Sequence, residues 1–243
     1  MRSASPVDVL GLWEQGRGLP SLRQAILLLA SWLNQPGDEI ARLSIGQRDF
    51  ALLNLRAALF GQEMVGLTVC PTCHANVELR LNADDIASVS SDEPGAVLTV
   101  AQDDWEASFR LPTSLDLGEL PADADLAANS RRLVERCLLS VCRGEVEVPL
   151  QDVSPALVTA IEDRMAEADP LADIQLSVHC PECHHGWEVP FDIISFLWDE
   201  VNAWAEQLLT EVHVLASAYG WSEPDILGLS SNRRQFYVRL IRE

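Results

Sequence analysis

Four of the six cysteines form two pairs with the spacing CxxC. The pairs are Cys70 with Cys73 and Cys180 with Cys183. A CxxC turn places two thiolates on one side of a metal ion, and two such turns complete the tetrahedral sulfur shell that structural zinc favours. The spacing therefore predicts one structural Zn2+ bound by these four cysteines, with no coordination position left open for Lewis-acid chemistry.

Other uses of these cysteines remain open alternatives. A redox-active dithiol pair normally begins a helix, whereas both turns here lie between strand patterns. Four cysteines could also hold an iron–sulfur cluster. His74, His179 or His184 could replace a cysteine ligand, although we expect them beside the turns, at the surface or against the ligands. A disulfide framework is disfavoured in a chain of this size without a secretory signal.

The two cysteine segments resemble each other. They read Leu67-Thr68-Val69-Cys70-Pro71-Thr72-Cys73-His74 and Leu176-Ser177-Val178-His179-Cys180-Pro181-Glu182-Cys183-His184. Each predicts a strand, a turn and a second strand, which is how zinc ribbons are built. The interval from Cys73 to Cys180 is 107 positions, far more than the roughly 15–20 of a compact ribbon. The sequence therefore predicts a split ribbon that ties two halves of the chain together.

Helical spacing dominates the rest of the chain. Apolar residues at intervals of three and four predict the helices, and alternating residues on both sides of Asp103-Asp104 predict one more hairpin. The predicted helices cover residues 21–33, 47–60, 126–141, 155–168 and 194–219, followed by two short ones that begin near Ser222 and Asn232. The predicted fold class is α+β, helix-rich, and built around a split four-cysteine zinc ribbon with a long insertion between the two turns.

These elements predict four regions along the chain. They are an N-terminal helical region of residues 1–66, a split zinc ribbon of residues 67–82 plus 174–192, an inserted α+β lobe of residues 83–173, and a C-terminal helical region of residues 193–243.

Charge and composition exclude several classes of function. The chain has 243 residues and a formal net charge of −20, which repels phosphate backbones and argues against a nucleic-acid reader. No secretory signal and no membrane-spanning segment are expected. The sequence contains no phosphate loop, nucleophile elbow, HExxH or dinucleotide fingerprint, so we expect a non-enzymatic protein with no small-molecule substrate.

Three further features have structural interpretations. Cys137 and Cys142 lie near the end of a predicted helix. Cys137 shares its apolar face, so we expect Cys137 to serve packing rather than chemistry. His213 lies off the apolar stripe of its helix and is predicted at the surface. The basic cluster of Arg233, Arg234, Arg239 and Arg242 is predicted as a solvated helix face, with a docking surface as the alternative.

Beyond the cysteines, many short motifs resemble one family of proteins. Those motifs are Leu12-Trp13-Glu14, the helix of residues 22–33, Leu59-Phe60-Gly61, Phe109-Arg110-Leu111-Pro112-Thr113, Cys180-Pro181-Glu182-Cys183, Pro190-Phe191-Asp192-Ile193, Phe196-Leu197-Trp198, Glu211-Val212-His213, Tyr219-Gly220-Trp221-Ser222-Glu223, Asp225-Ile226-Leu227, Leu229-Ser230 and Arg233-Arg234. The whole pattern resembles the baseplate hub assembly family of contractile-tailed phages and of phage-tail-like contractile injection systems.

This resemblance implies a role in building a baseplate, as a component or as an assembly chaperone, with other baseplate or tail proteins as partners. It implies a place in the bacterial cytoplasm or in a phage or phage-tail-like particle. The alternative is a zinc-ribbon regulatory or adaptor protein that acts through protein–protein contacts. A nucleic-acid regulator and an enzyme with a site assembled from scattered residues are weaker rivals.

Overall fold

A computed structural model describes residues 5–87, 95–121, 125–144, 146–149 and 153–242. The predicted lobe of residues 83–173 therefore includes several short segments that lie outside the described residues. The described chain mixes helix and sheet, as an α+β protein does. The predicted division into four regions stays a prediction.

Helices form the larger part of the described chain. Their bounds are α1 Pro6–Gly16, α2 Ser21–Leu33, α3 Gly37–Ile40, α4 Ile45–Phe60, α5 Ala83–Ala87, α6 Ser114–Gly118, α7 Leu126–Cys137, α8 Pro155–Ala168, α9 Ile193–Tyr219, α10 Glu223–Leu227 and α11 Ser231–Arg242, with a 3-10 turn over Pro170–Ala172. Across the described ranges, the helices lack the combination of length and apolar character that spanning a membrane requires.

In the part of the chain that the structure describes, the strands form three separate antiparallel sheets. Their bounds are β1 Glu63–Val69, β2 Asn76–Asn82, β3 Leu98–Gln102, β4 Trp105–Phe109, β5 Leu138–Arg143, β6 Val146–Glu147, β7 Gln175–His179 and β8 Gly186–Pro190. Strands β1 and β2 pair as one hairpin, β7 and β8 as another, and β3, β4, β5 and β6 form a four-stranded sheet in that order. The predicted hairpin at Asp103-Asp104 is present, and Asp103 takes the positive φ of 55° at its turn.

Residue contacts divide the chain into two compact units. One comprises Met1–Leu28 with Ile194–Glu243, and the other comprises Leu29–Ile193. In the first unit, α9 buries a stripe that follows the predicted helical spacing, including Leu197, Val201 and Leu208. His213 is exposed on this helix, as predicted.

The same unit contains a helix, α1, that the sequence analysis did not predict. The Ser5 hydroxyl accepts a hydrogen bond from the Asp8 amide, and the Asp8 side chain accepts one from the Ser5 amide. This reciprocal capping box, with Pro6 in the first turn, was the available sequence signal. On the helix, Trp13 Nε1 donates to Asn202 Oδ1 at 2.9 Å, and this bond attaches α1 to α9.

The basic cluster near the C-terminus is not a uniform solvated face. Arg234 is only 4% exposed, and its Nε donates to Glu211 Oε2 at 2.9 Å while Nη1 donates to the Leu229 carbonyl at 2.7 Å. A buried guanidinium needs such partners because its desolvation is costly. The prediction was therefore wrong for Arg234, whereas Arg233 and Arg239 are exposed.

The second unit contains the four-stranded sheet and its core. Phe109 of β4, Val134 of α7, and Leu157 and Ile161 of α8 are buried in this one core. Cys137 is fully buried in this core, as predicted, and burial raises its pKa to about 12.

The predicted helix of residues 126–141 was wrong in its last turn. Helix α7 ends at Cys137, and Leu138 begins strand β5, which pairs with β4. The Cys137 carbonyl accepts a hydrogen bond from the Arg110 amide at 3.0 Å, which places the end of the helix beside the sheet. Strand pairing with a distant segment outweighs local apolar spacing here, and no single-segment pattern reveals such pairing.

Charged side chains buried in the second unit fix helix starts. Asp116 is only 2% exposed. Its carboxylate accepts two hydrogen bonds from the Arg110 guanidinium. It also accepts hydrogen bonds from the amide and the hydroxyl of Thr113, at the start of α6. Although burial opposes its ionisation, these bonds prevail and lower the pKa of Asp116 to about 2. Asp169 accepts from the Gly46 amide at the start of α4, where a carboxylate complements the helix dipole.

Candidate metal centre

The two cysteine turns have the same backbone conformation. The Cys70 amide donates to the Ala75 carbonyl at 2.9 Å, and the His74 amide donates back to the Cys70 carbonyl at 3.0 Å. In the second turn, the Cys180 and His184 amides make the equivalent bonds at the same two distances. The two segments that resemble each other in sequence therefore also form the same backbone hydrogen bonds.

His74 and His184 occupy matching positions just after the second cysteine of each turn. Both adopt a left-handed conformation, with φ of 60° and 59°. This region is sterically costly for most residues other than glycine. The two histidines are thus part of the turn geometry, and the group of metal-ligating side chains that the described residues bring together consists of cysteines alone.

The four cysteine sulfurs converge although they come from distant parts of the chain. Cys70 Sγ lies 3.6 Å from Cys183 Sγ, and Cys73 Sγ lies 3.5 Å from Cys180 Sγ. All four sulfurs lie within 4.8 Å of one another. A tetrahedron whose corners are about 2.3 Å from its centre has edges of about 3.8 Å. The cluster therefore has the dimensions of a four-sulfur metal site.

Each turn contributes one buried and one exposed sulfur. Cys70 and Cys180 are buried, whereas Cys73 and Cys183 are exposed. Beneath the cluster, Val77 and Val178 are buried with the two inner cysteines, and partly buried apolar residues of both hairpins pack against them. The hairpins thus share a small apolar core that holds the sulfurs together from one side.

Backbone amides lower the pKa of these thiols, whereas neighbouring sulfurs lower the pKa at Cys70 and raise it at Cys73. Burial disfavours the Cys70 thiolate, but amide groups of its turn and contacts with neighbouring sulfurs outweigh burial and lower the pKa of Cys70 to about 7. At Cys73 the Ala75 amide favours the thiolate, yet the adjacent sulfurs, Cys180 first among them, prevail and raise the pKa to about 12. At Cys183 the His185 amide favours the thiolate, but burial and sulfur contacts raise the pKa.

These pKa directions match the chemistry of a cation site. One thiolate forms readily, and the next is opposed because negative charges at this spacing repel. A divalent cation at the centre reverses that repulsion and favours deprotonated sulfur. The donor set, spacing and amide hydrogen bonds therefore fit a metal such as zinc.

Counted from the first cysteine of each turn, the two entering strands expose the same positions, but they carry their apolar residues on opposite faces. Val178, two residues before Cys180, is 4% exposed, whereas Val69, the residue before Cys70, is 53% exposed. The second segment has one extra residue, His179, between its valine and its first cysteine. Because side chains alternate with period two, a shift of one residue turns the apolar set from one face of the strand to the other. This difference was not predicted, although the extra histidine is visible in the sequence.

Comparison with known protein families identifies one family whose model matches most of the chain. The family model of the T4 bacteriophage base plate protein matches residues 22–198. The chain belongs to this family. No curated protein and no solved structure matches the chain. The T4 bacteriophage base plate protein match spans both cysteine turns and the whole segment between them, and it confirms the resemblance to a phage baseplate family.

Proposed function

We propose that this chain is a non-enzymatic component or assembly chaperone of a phage-tail baseplate, stabilised by one structural zinc ion on Cys70, Cys73, Cys180 and Cys183. The family match carries this proposal, because it covers the residues that form the four-sulfur cluster. The proposal assigns no catalytic residue.

The zinc ion has a clear structural task in this proposal. Each cysteine hairpin is a two-stranded sheet, and an isolated pair of strands is marginally stable at best in water. Apparent binding free energies of structural zinc reach about 10–16 kcal/mol at neutral pH and contribute directly to folding. Four sulfur ligands would also leave no open position for water, which suits a structural ion rather than a catalytic one.

The C-terminal helix offers a surface for partner contact. On α11, Phe236 is 54% exposed and Leu240 is 47% exposed. Arg233 and Arg239 are exposed on the same helix, and no ion pair to either occurs among the described residues. Aromatic and arginine side chains dominate interface hot spots. We assign this face to contacts with other tail proteins, made in the bacterial cytoplasm or within a phage or phage-tail-like particle.

Co-expression with the neighbouring tail genes tests the function. We expect at least one baseplate or tail protein to co-purify with the chain, and the double variant Phe236→Ser with Leu240→Ser to reduce that yield. A matched control is Val7→Ser, which changes an exposed apolar residue on α1. If none of the tail proteins co-purifies, the proposed function is wrong. If a tail protein does co-purify, mass spectrometry of purified particles separates the two roles, because a permanent component is present in the particle and a chaperone is not.

Metal analysis tests the zinc assignment independently. Protein purified without added metal should contain about one zinc per chain, and the four cysteines should resist alkylation until a chelator removes the ion. Iron in place of zinc, or disulfides within the two turns, would contradict the assignment and leave the family membership intact.

A further inference from the structure

Strand β1 presents large apolar side chains on its outward face. Val65, Leu67 and Val69 are exposed by 57%, 79% and 53%, and they occupy alternate positions of the strand. The corresponding positions of β7, counted from the first cysteine of each turn, carry Gln175, Ser177 and His179. The two hairpins thus share a turn, but only the first exposes an apolar strip.

The backbone of β1 is also available along that strip. Within the described residues, β1 pairs with β2 and with no other strand. The Cys70 amide bonds to Ala75 at the turn, and bonded and non-bonded pairs alternate along an antiparallel ladder. Residues 65, 67 and 69 therefore lie at the non-bonded pairs, where amides and carbonyls point away from β2. The residues with exposed apolar side chains are the ones with unpaired backbone groups.

Such an edge is a template for an added strand. Native proteins normally protect edge strands with charge, proline or a covering element. Strand addition takes its affinity from main-chain hydrogen bonds and its specificity from alternate side chains. Strand β1 offers both, with no proline and no lysine or arginine between Glu63 and Val69.

We propose that the outward edge of β1 binds an extended segment of another protein as an additional strand. The segment would carry apolar residues at alternate positions and basic residues beside them. This charge preference follows from Glu63 at one end of the strand and from the net charge of −20. On β2, Arg80 and Glu78 lie opposite Val65 and Leu67, and Arg80 Nε donates to Glu78 at 2.9 Å. These two charges offset each other, so Glu63 leaves the local charge negative.

The same charge argues against a second copy of this chain as the occupant. Two chains of net charge −20 would repel each other, and neither brings a basic strand to the other's β1. The identity of the partner as a tail protein rests on the proposed function, whereas the strand-addition surface does not.

A strand-compatible triple variant tests the surface. Val65→Thr, Leu67→Thr and Val69→Thr together remove the apolar strip but keep β-branched residues that suit a strand. The control is Ser177→Thr at the position of β7 that matches Leu67. Both proteins should retain wild-type metal content, which shows that the hairpins are folded.

Each protein is co-expressed with the tail proteins encoded beside it, and amide hydrogen exchange is measured on any complex. We expect the triple variant to lose at least about tenfold in affinity for the partner, which corresponds to about 1.4 kcal/mol. The control should bind as the wild type does. In the wild-type complex, the amides of residues 65, 67 and 69 should become protected. The strand-addition proposal is wrong if a partner binds the triple variant as tightly as the wild type and leaves the amides of residues 65, 67 and 69 unprotected in the wild-type complex. The proposed function would still stand.

A synthetic peptide decides the case in which no tail protein is captured. The peptide alternates valine and threonine between flanking lysines, and a second peptide carries glutamates instead. Binding of the lysine peptide to the wild type, but not to the triple variant, supports the surface. No binding of either peptide overturns it. A wild-type dimer that the triple variant converts to a monomer also overturns the proposal, because the occupant is then a second copy.

Discussion

The two cysteine hairpins share a turn and differ in the strand that enters it. In both turns the first cysteine amide bonds to a carbonyl five residues on at 2.9 Å, and a histidine adopts a left-handed conformation. Yet the outward position three residues before the first cysteine carries Leu67 in β1 and Ser177 in β7. The sulfur geometry therefore depends on the turn and on the apolar residues beneath it, and not on the residue types of the outward face. The outward face of each strand is then free to serve a partner.

The largest expected effect tests the shared part of the hairpins. Cys70→Ser and Cys180→Ser should each abolish stoichiometric zinc binding and destabilise the fold by several kcal/mol, because the ion contributes directly to folding free energy. Metal content and thermal unfolding measure both effects.

Cys142→Ser is the matched control for these variants. Cys142 is partly buried on β5, outside the four-sulfur cluster. If only one of the two cluster variants loses the metal, the turns are not equivalent and the comparison fails.

Deleting His179 tests the part that differs. Without this residue, strand β7 must turn its apolar side chains outward to keep Cys180 in place. We expect a loss of about 3 kcal/mol in unfolding free energy, which corresponds to exposing two large apolar side chains. Chemical denaturation measures the loss.

The control for that deletion is His179→Ala, which keeps the length of the strand. It changes an exposed side chain and should alter stability by less than about 0.5 kcal/mol. Equal losses in the two variants would show that the histidine side chain, rather than register, explains the difference between the hairpins.

Truncating single valines gives a smaller effect. Val178→Ala removes a buried side chain and should cost about 2 kcal/mol, because a cavity remains beside the sulfur cluster. Val69→Ala changes an exposed residue and should cost less than about 0.5 kcal/mol. Comparable costs at both sites would mean that the outward face of β1 is buried in the isolated protein.

The smallest effect concerns the two left-handed histidines. His74→Gly and His184→Gly relieve the steric cost of positive φ but increase the entropy of the unfolded chain. We expect changes below about 1 kcal/mol, of the same sign at both positions. Thermal unfolding of the zinc-loaded protein checks this. Opposite signs would show that the turns differ in strain despite their matching hydrogen bonds.

Local patterns predicted the features that depend on nearby residues. The cysteine spacing predicted the cluster of Cys70, Cys73, Cys180 and Cys183, which the fold brings together. Apolar spacing predicted α9 almost to its ends, since the stripe continues for the whole helix. Ser154 and Ser222 marked helix starts because their hydroxyls accept hydrogen bonds from backbone amides near the start of each helix.

Features that depend on distant pairing were not predicted. Strand β5 follows α7 without a break because β4 is there to pair with it. Arg234 is buried because Glu211, on another helix, is there to accept its hydrogen bond. Whether the apolar residues of the entering strand face inward or outward depends on one inserted residue, His179. Aligning the two segments by their similar residues hides this insertion.

The two cysteine turns lie on opposite sides of a long stretch of chain, so a metal that holds both also holds the pieces on either side of a cut. After a single protease cut within that stretch, a denaturing gel would show two fragments. In native buffer the two fragments would stay bound to each other as one complex. The same connection would let the gene be divided there and expressed as two polypeptides that assemble on the ion.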